Sequence, residues 1–246
     1  MTNDDNTSRT FAPHRVDILR NTAKQNSQRD FVARGSNAER CPTCLMASFA
    51  CFCHKRHPSS TSIQFTLLYH YTEIHKPTNS GRLIADLFPN QVDAYIWSRT
   101  EPDKHLIERL EKHHGHSIIL YPCTDHREKN KAHIAQLPTF NNAPLHVIVL
   151  DATWRLASKM LHQSRWLDSI PTFGISENVQ KTFMVRQAKH DHQFATAEVV
   201  SMLLAQHGET LQSELLADYY DTFNQHSVLS RRRNQLPPKD IPTSKN

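Results

Sequence analysis

Leu145-His146-Val147-Ile148-Val149-Leu150-Asp151-Ala152-Thr153-Trp154-Arg155 is an apolar, β-branched run that stops abruptly at a carboxylate, a hydroxyl and an indole. Residues 147–150 show no polar alternation, as expected of a parallel strand covered on both faces, and the run is short enough to favour a strand over a helix. Thr153 then stands where a helix N-cap belongs, ahead of Leu156, Met160 and Leu161 on one side and Arg155 and Lys159 on the other. In open parallel sheets ligands collect outside the carboxyl ends of the strands, so Asp151, Thr153 and Trp154 occupy the place where chemistry would be put. The pattern alone leaves an ordinary strand-to-helix turn with a capping Asp equally open.

Around this run, 246 residues with 38% hydrophobic content hold one sizeable core plus a small appendage. No uninterrupted apolar span is long enough to cross a bilayer, and the first thirty residues lack the apolar segment of a signal peptide, so a cytoplasmic protein is expected. The formal charge of +5 and a pI near 9.0, with seventeen histidines in reserve, favour a polyanionic partner, although such a balance is also common in ordinary soluble proteins. Five Gly and the absence of GxGxxG or GxxxxGK[ST] argue against a glycine-cradled nucleotide site.

The organisation reads in four parts. Residues 1–39 are polar and too poor in apolar residues to sustain a helical stripe beyond Val16, Ile18 and Leu19, and are expected to be a flexible lead-in, disordered or loosely helical. Residues 40–58 carry Cys41, Cys44, Cys51 and Cys53, a CxxC and a CxC six residues apart. Two close thiolate pairs converge naturally on one tetrahedral ion, which points to a closed, structural zinc site; an iron-sulfur cluster, or a nearby histidine as a substitute ligand, is the alternative. Arg40, His54, Lys55, Arg56 and His57 make this knuckle basic, either to grip phosphate or as a solvated rim. Residues 59–229 alternate strands and helices: strands at 63–69, 93–97, 117–121, 147–150 and 171–175, helices at 81–88, 103–114, 194–205 and 211–224. That alternation implies βαβ units in a mostly parallel sheet flanked by helices. Residues 230–246, opening on Arg231-Arg232-Arg233, read as a basic, flexible tail.

Three further segments carry candidate chemistry. His70-Tyr71-Thr72-Glu73-Ile74-His75-Lys76-Pro77-Thr78-Asn79-Ser80-Gly81-Arg82 follows the first strand, and Pro77 prevents its histidines from sharing a helix face as metal ligands. It reads as a loop positioning anionic groups, with Lys76 and Arg82 as charge partners and Gly81 admitting close backbone approach, or as a polar loop with a helix cap. Tyr121-Pro122-Cys123 repeats the opening of an apolar strand into a polar loop. Cys123, the odd cysteine, reads as a small buried hydrophobe. Glu198, in the first turn of a helix apolar nearly all round, is either functional or a hydrogen-bonded structural acid.

Asp151-Ala152-Thr153-Trp154 resembles the DxTW signature of the DTW-domain proteins. The block 70–82 resembles that family's H-x-x-E-x-x-[KR]-x-T-N-[TS]-G-R segment, the Tyr121-Pro122 loop resembles its second-strand loop, and Thr196-Ala197-Glu198 stands where the family has a T-x-E helix. With the four cysteines, which match bacterial members, the resemblance covers about residues 40–225. Ala152, Ser80 and Ala197 depart from the commonest residues without removing a charged group.

The resemblance implies a SPOUT-related α/β fold and a tRNA-uridine aminocarboxypropyltransferase. Such an enzyme transfers the 3-amino-3-carboxypropyl group of S-adenosylmethionine to N3 of a variable-loop uridine, giving acp3U and releasing 5′-methylthioadenosine. It implies catalytic roles at Asp151, Thr153, Trp154 and Glu198, with Asp151 the candidate base. It implies co-substrate contacts at Lys76, Thr78, Asn79, Gly81, Arg82, Tyr121, Pro122 and Leu150, a structural zinc on the four cysteines, and tRNA as partner of a protein favoured to be a monomer. Two other classes stay open at this level: an S-adenosylmethionine-dependent RNA methyltransferase and a non-catalytic, zinc-containing RNA-binding protein.

Overall fold

A computed structural model describes residues 12–27, 39–121, 132–141, 143–176, 178–180 and 194–231. Six parallel strands form the sheet: β1 (Gln64–Tyr69), β2 (Val92–Ile96), β3 (Ser117–Leu120), β4 (His133–Ile134), β5 (His146–Asp151) and β6 (Thr172–Phe173), in the spatial order β2-β1-β5-β3-β6-β4. This is the mostly parallel α/β sheet expected. The helices are α1 (Arg15–Gln25), α2 (Arg82–Leu87), α3 (Lys104–Lys112), α4 (Trp154–Gln163), α5 (Thr196–Gln206) and α6 (Thr210–Arg231). No helix among the described residues is long and apolar enough to cross a membrane.

β5 lies between β1 and β3 and is buried at every position. Its side chains alternate between two cores: Val147 and Val149 pack with α1, α2, α5, α6 and the cysteine knuckle, while Ile148 and Leu150 pack with α3 and α4. Two covered faces explain the unbroken apolar run, each such residue contributing about 1.5–3 kcal/mol by burial. The parity carries on to Asp151, which leaves the sheet on the face of Val147 and Val149, toward α2 and α5. β1 alternates in the same way, with Phe65, Leu67 and Tyr69 on that face and Leu68 on the other.

The amino end of β5 is held by polar bonds. His146 is fully buried, stacks on His113 at 4.4 Å, and contacts Thr66 Oγ1 through Nε2 and Ser117 Oγ through Nδ1, both at 2.8 Å. Arg109 donates to Thr66 Oγ1 and Ser117 donates to the His113 carbonyl, so one proton assignment satisfies the chain: Thr66 donates to Nε2, and Nδ1–H donates to Ser117. Burial pushes this imidazole down to about 2, which keeps it neutral. The arrangement pins β1, β5 and β3 in register.

The lead-in departs from expectation. α1 packs Val16 and Ala23 into the core, and His14, Asp17 and Arg20 are buried with them. The apolar stripe is short because polar bonds replace it. His14 Nε2 donates to Asp86 Oδ1 at 2.9 Å, and Arg20 donates to Asp17 at 2.9 Å and to the Pro42 carbonyl at 3.2 Å. Asp86, with no exposed surface, also takes Arg82 at 3.1 Å, Tyr219 Oη at 3.2 Å and Arg56 Nε at 3.4 Å. One carboxylate thereby joins α1, the knuckle, α2 and α6, and its opposing cations hold it well below the usual carboxylate range despite burial. At the other end, α6 runs through Ser230 and Arg231, so the first residues assigned to the tail are helical.

Candidate active site

The carboxyl ends of β1, β5 and β3 meet the amino ends of α4 and α5, as the strand-to-helix reading of residues 145–155 requires. Thr153 is the N-cap of α4, although its hydroxyl makes no capping bond. Asp151 is buried beneath the resulting cleft. Asn79 Nδ2 donates to its Oδ1 at 2.8 Å, and Asn79 Oδ1 accepts the Arg82 amide at 3.2 Å, so one side chain fixes both the carboxylate and the first turn of α2. Burial pushes the Asp151 carboxyl up to about 7, against the Asn79 hydrogen bond and with the help of the Glu73 charge; Thr196 and the Gly81 amide also favour the charged form. A carboxylate balanced near neutrality is suited to take and return a proton.

The cleft over Asp151 has a volume of about 350 Å³, within the range of small-ligand sites. Tyr121 and Leu150 form its apolar wall, Thr78 and Asn79 its polar floor, and Phe194 and Thr196 its α5 side. Trp154 stands at the rim, half exposed, edge-on to Tyr121 with ring centroids 6.1 Å apart. A larger cavity of about 450 Å³ lies at the amino end of β3 between Leu110, Phe140 and Trp166. Its walls are mostly apolar and it sits at the opposite end of the strands, so the smaller cleft is the candidate site.

Among the residues marked from sequence, Thr78, Asn79, Tyr121, Leu150, Asp151, Thr153 and Trp154 come together at this cleft. Pro122 and Cys123 lie outside the described residues. Gly81 sits directly under the Asp151 carboxylate: a Cβ there would overlap Oδ2 and come within 3.3 Å of Tyr69 Oη. Its backbone is ordinary helix, at φ −61° and ψ −30°, so space rather than conformation requires glycine. The close approach foreseen at Gly81 is therefore made by Asp151.

Three expectations are corrected. Arg82 is 3% exposed, pairs with Asp86 one turn along α2 and lies over the Phe52 ring at 5.9 Å, so its guanidinium faces the core and not the cleft. Glu198 is the third residue of α5 and its carboxylate folds back to accept the Ala195 amide at 2.7 Å, half of a capping box; it does not line the cleft. Arg56 is buried against Asp86 and is absent from the knuckle's basic rim. Lys76 pairs with Glu73 at 2.7 Å, which places an ion-paired, charged carboxylate in the cleft wall. Glu73 and Thr196 stand in the two family-like segments without a role assigned to them there, and Tyr69 and Phe194 were not singled out from sequence. Strand parity shared with Asp151 would have found Tyr69, whereas Phe194 and Thr196 come from the approach to α5 and its first residue, over a hundred residues from the loop that they face.

The knuckle places Cys41 and Cys53 Sγ 3.6 Å apart, Cys44 and Cys51 Sγ 3.8 Å apart, and all four within 4.8 Å of one another. Tetrahedral thiolates about 2.3 Å from a zinc ion would stand roughly 3.8 Å apart, so the donor set fits one mononuclear ion; a four-iron cluster would bind each sulfur to a different iron and spread them. Four thiols this close do not all ionise unaided. Cys44 is pulled down to about 5 by its bond with Cys53, burial pushes Cys51 up to about 11, and Cys53 rises with it. A divalent cation removes that conflict. Purified protein is expected to carry one zinc per chain, and Cys44→Ser to lose it together with several kcal/mol of stability. Elemental analysis finding four free thiols and no metal in the folded protein would refute this.

The class defined by fold and site is an α/β protein with a buried carboxyl, raised in pKa, beneath a ligand-sized cleft at the carboxyl end of a parallel sheet. The DTW domain model matches residues 38–228, which takes in both the knuckle and the cleft, and the chain belongs to the DTW-domain family. That membership supports a tRNA-modifying function in the broad sense. No solved structure matches the chain.

Proposed function

We propose that the protein is a tRNA-uridine aminocarboxypropyltransferase, forming acp3U at N3 of a variable-loop uridine. The observation that supports this best is the Asp151 carboxyl, buried, oriented by Asn79 and poised near pH 7 at the base of a ligand-sized cleft. Uridine N3 is not nucleophilic until its proton leaves, and a base of matched affinity at hydrogen-bond distance removes that obstacle. S-adenosylmethionine would supply a methylene activated by positive sulfur, and the carbon–sulfur electron pair departs with sulfur as 5′-methylthioadenosine.

The residues present fit that chemistry. Asp151 takes the N3 proton, and the freed N3 pair forms the new nitrogen–carbon bond as the carbon–sulfur bond breaks. Most of the rate comes from holding the three atoms in line, which rigid strand ends and helix N-termini do better than loops. Trp154 offers an exposed indole face for a base or for adenine, and Glu73 adds negative potential toward a cationic sulfur. Zinc on the four cysteines is structural in this reading, since a closed thiolate set leaves no position for substrate.

Incubating unmodified tRNA with the protein and S-adenosylmethionine is expected to give acp3U in digested nucleosides and an equivalent of methylthioadenosine. Adenosylhomocysteine with a methylated nucleoside, or unchanged tRNA, would overturn the proposal. Trp154→Ala should weaken binding by about 1–3 kcal/mol and leave turnover at saturation within a few-fold, which titration and single-turnover kinetics separate.

A further inference from the structure

Tyr69 Oη and Asp151 Oδ2 are among the buried polar atoms that make no hydrogen bond among the described residues, and both border the space that a Gly81 side chain would take, Tyr69 Oη at 3.3 Å from it and Oδ2 overlapping it. Tyr69 ends β1 and Asp151 ends β5, and the two are register partners in the parallel pair, so their side chains leave neighbouring strands on the same face. Both are held from behind by backbone bonds, the Tyr69 carbonyl accepting the Trp97 amide at 2.8 Å and the Asp151 carbonyl accepting the His70 amide at 3.2 Å. Asp151 Oδ2 fills the place where a Gly81 Cβ would stand, and Tyr69 Oη comes within 3.3 Å of the same point, so the missing side chain leaves the space that they share. A buried hydroxyl with a rotatable proton and no acceptor, close to a carboxylate oxygen, is costly to leave unpaired and complementary to that oxygen once joined.

We propose that Tyr69 is a positioning residue for the reaction, its hydroxyl donating to Asp151 Oδ2 when the carboxylate is charged and releasing it when the carboxyl takes a proton. This rests on the reading of Asp151 as the base. Asn79 then holds Oδ1 throughout, and Tyr69 supplies the second, charge-dependent bond that keeps the acceptor plane fixed between turnovers. Burial and the Asp151 charge push the phenol well above its ordinary value, so it stays a neutral donor. The groups facing Tyr69 are Asp151 on one side and Arg82, Asp86 and Arg20 on the other; those facing Asp151 are Glu73, Asn79, Thr196 and the Gly81 amide. The Arg82–Asp86 ion pair behind the phenol leaves the change of charge at Asp151 as the event that the hydroxyl follows.

The test is Tyr69→Phe, an isosteric change that removes only the hydroxyl. The ascending limb of its turnover-against-pH curve should move up by roughly one unit. Turnover below pH 7 should fall about tenfold and recover at pH 9, with the apparent affinity for S-adenosylmethionine unchanged. Carbon-13 NMR titration of the Asp151 carboxyl, assigned by its absence in Asp151→Asn, should show the same displacement without reference to activity. Coincident titrations and pH profiles for Tyr69→Phe and wild type would overturn the proposal. If Asp151→Asn itself turns over normally, it is the base assignment that fails; if Asp151→Asn is inactive while Tyr69→Phe matches wild type, the base stands and only the role of Tyr69 falls.

Discussion

Asp151→Asn is expected to lose turnover by on the order of a hundredfold or more, and at the same time to raise thermal stability above neutral pH. The two effects share a cause. In the folded protein burial raises this carboxyl from 3.8 to about 7, so between those values the folded state holds a proton that the unfolded chain has released. Stability is therefore lost progressively as pH rises through that window, and the full cost of a buried charge is carried above pH 7. An amide carries no charge at any pH and keeps an oxygen for the Asn79 donor. The gain should be absent near pH 4, appear as pH rises and reach a few kcal/mol above pH 7. Denaturant melts at pH 4 and pH 8 measure the stability, and single-turnover rates at saturating tRNA and S-adenosylmethionine measure the loss. Wild-type turnover would reduce Asp151 to a structural acid, and a variant destabilised at pH 8 would mean that the carboxylate is solvated in the folded state.

Gly81→Ala should be nearly as damaging, though it adds one methyl far from any solvent. The backbone accepts alanine, although Gly81 is the N-cap of α2, a position that prefers glycine to alanine. The methyl, however, meets Asp151 Oδ2 head-on and approaches its Cγ at 2.7 Å. Asp151 is anchored through β5, so the carboxylate has to swing off its Asn79 bond, or the loop has to shift. Overpacking of this kind costs about 1–3 kcal/mol, leaving a folded protein slightly less stable than wild type with turnover reduced roughly a hundredfold, as displacement of a positioned base predicts. Normal kinetics in Gly81→Ala would show that the position of the carboxylate does not depend on the loop.

The sheet was legible because its cause is local. Val147, Ile148, Val149 and Leu150 are apolar on both faces, and no other element pattern requires that. Asp151 and Trp154 were legible for the same reason, since a polar residue at the end of such a run must face either a cap or a ligand. Arg82 was misread, and Glu198 was left open between a functional and a hydrogen-bonded structural acid, because charge at a motif position says nothing about where a side chain turns. Each is satisfied within a few residues of its own helix, by Asp86 and by the Ala195 amide. α1 was legible only as a loose helix because it is held by long-range polar bonds from His14 and Arg20 rather than by an apolar stripe, and periodicity does not register such bonds. Tyr69 Oη is conspicuous for the bond it lacks, which only coordinates can show.

The packing of α6 on the knuckle also bears on the order in which the molecule is built. Phe52 is covered by Tyr219, Phe223 and His226, with ring centroids 5.6 to 5.9 Å away, while the Ala47 amide donates to Ser230 Oγ and His226 donates to the Ala50 carbonyl across 183 and 176 residues of chain. During synthesis from the amino end, the cysteines can collect their ion early, but the surface that shelters Phe52 leaves the ribosome long after them. Closing so long a loop adds little further entropy cost, because that cost grows only logarithmically with length. The interval is what matters: until α6 arrives, the nascent knuckle presents a bare aromatic face, and a chain cut short before residue 210 presents it permanently, which marks that product for chaperones and proteases.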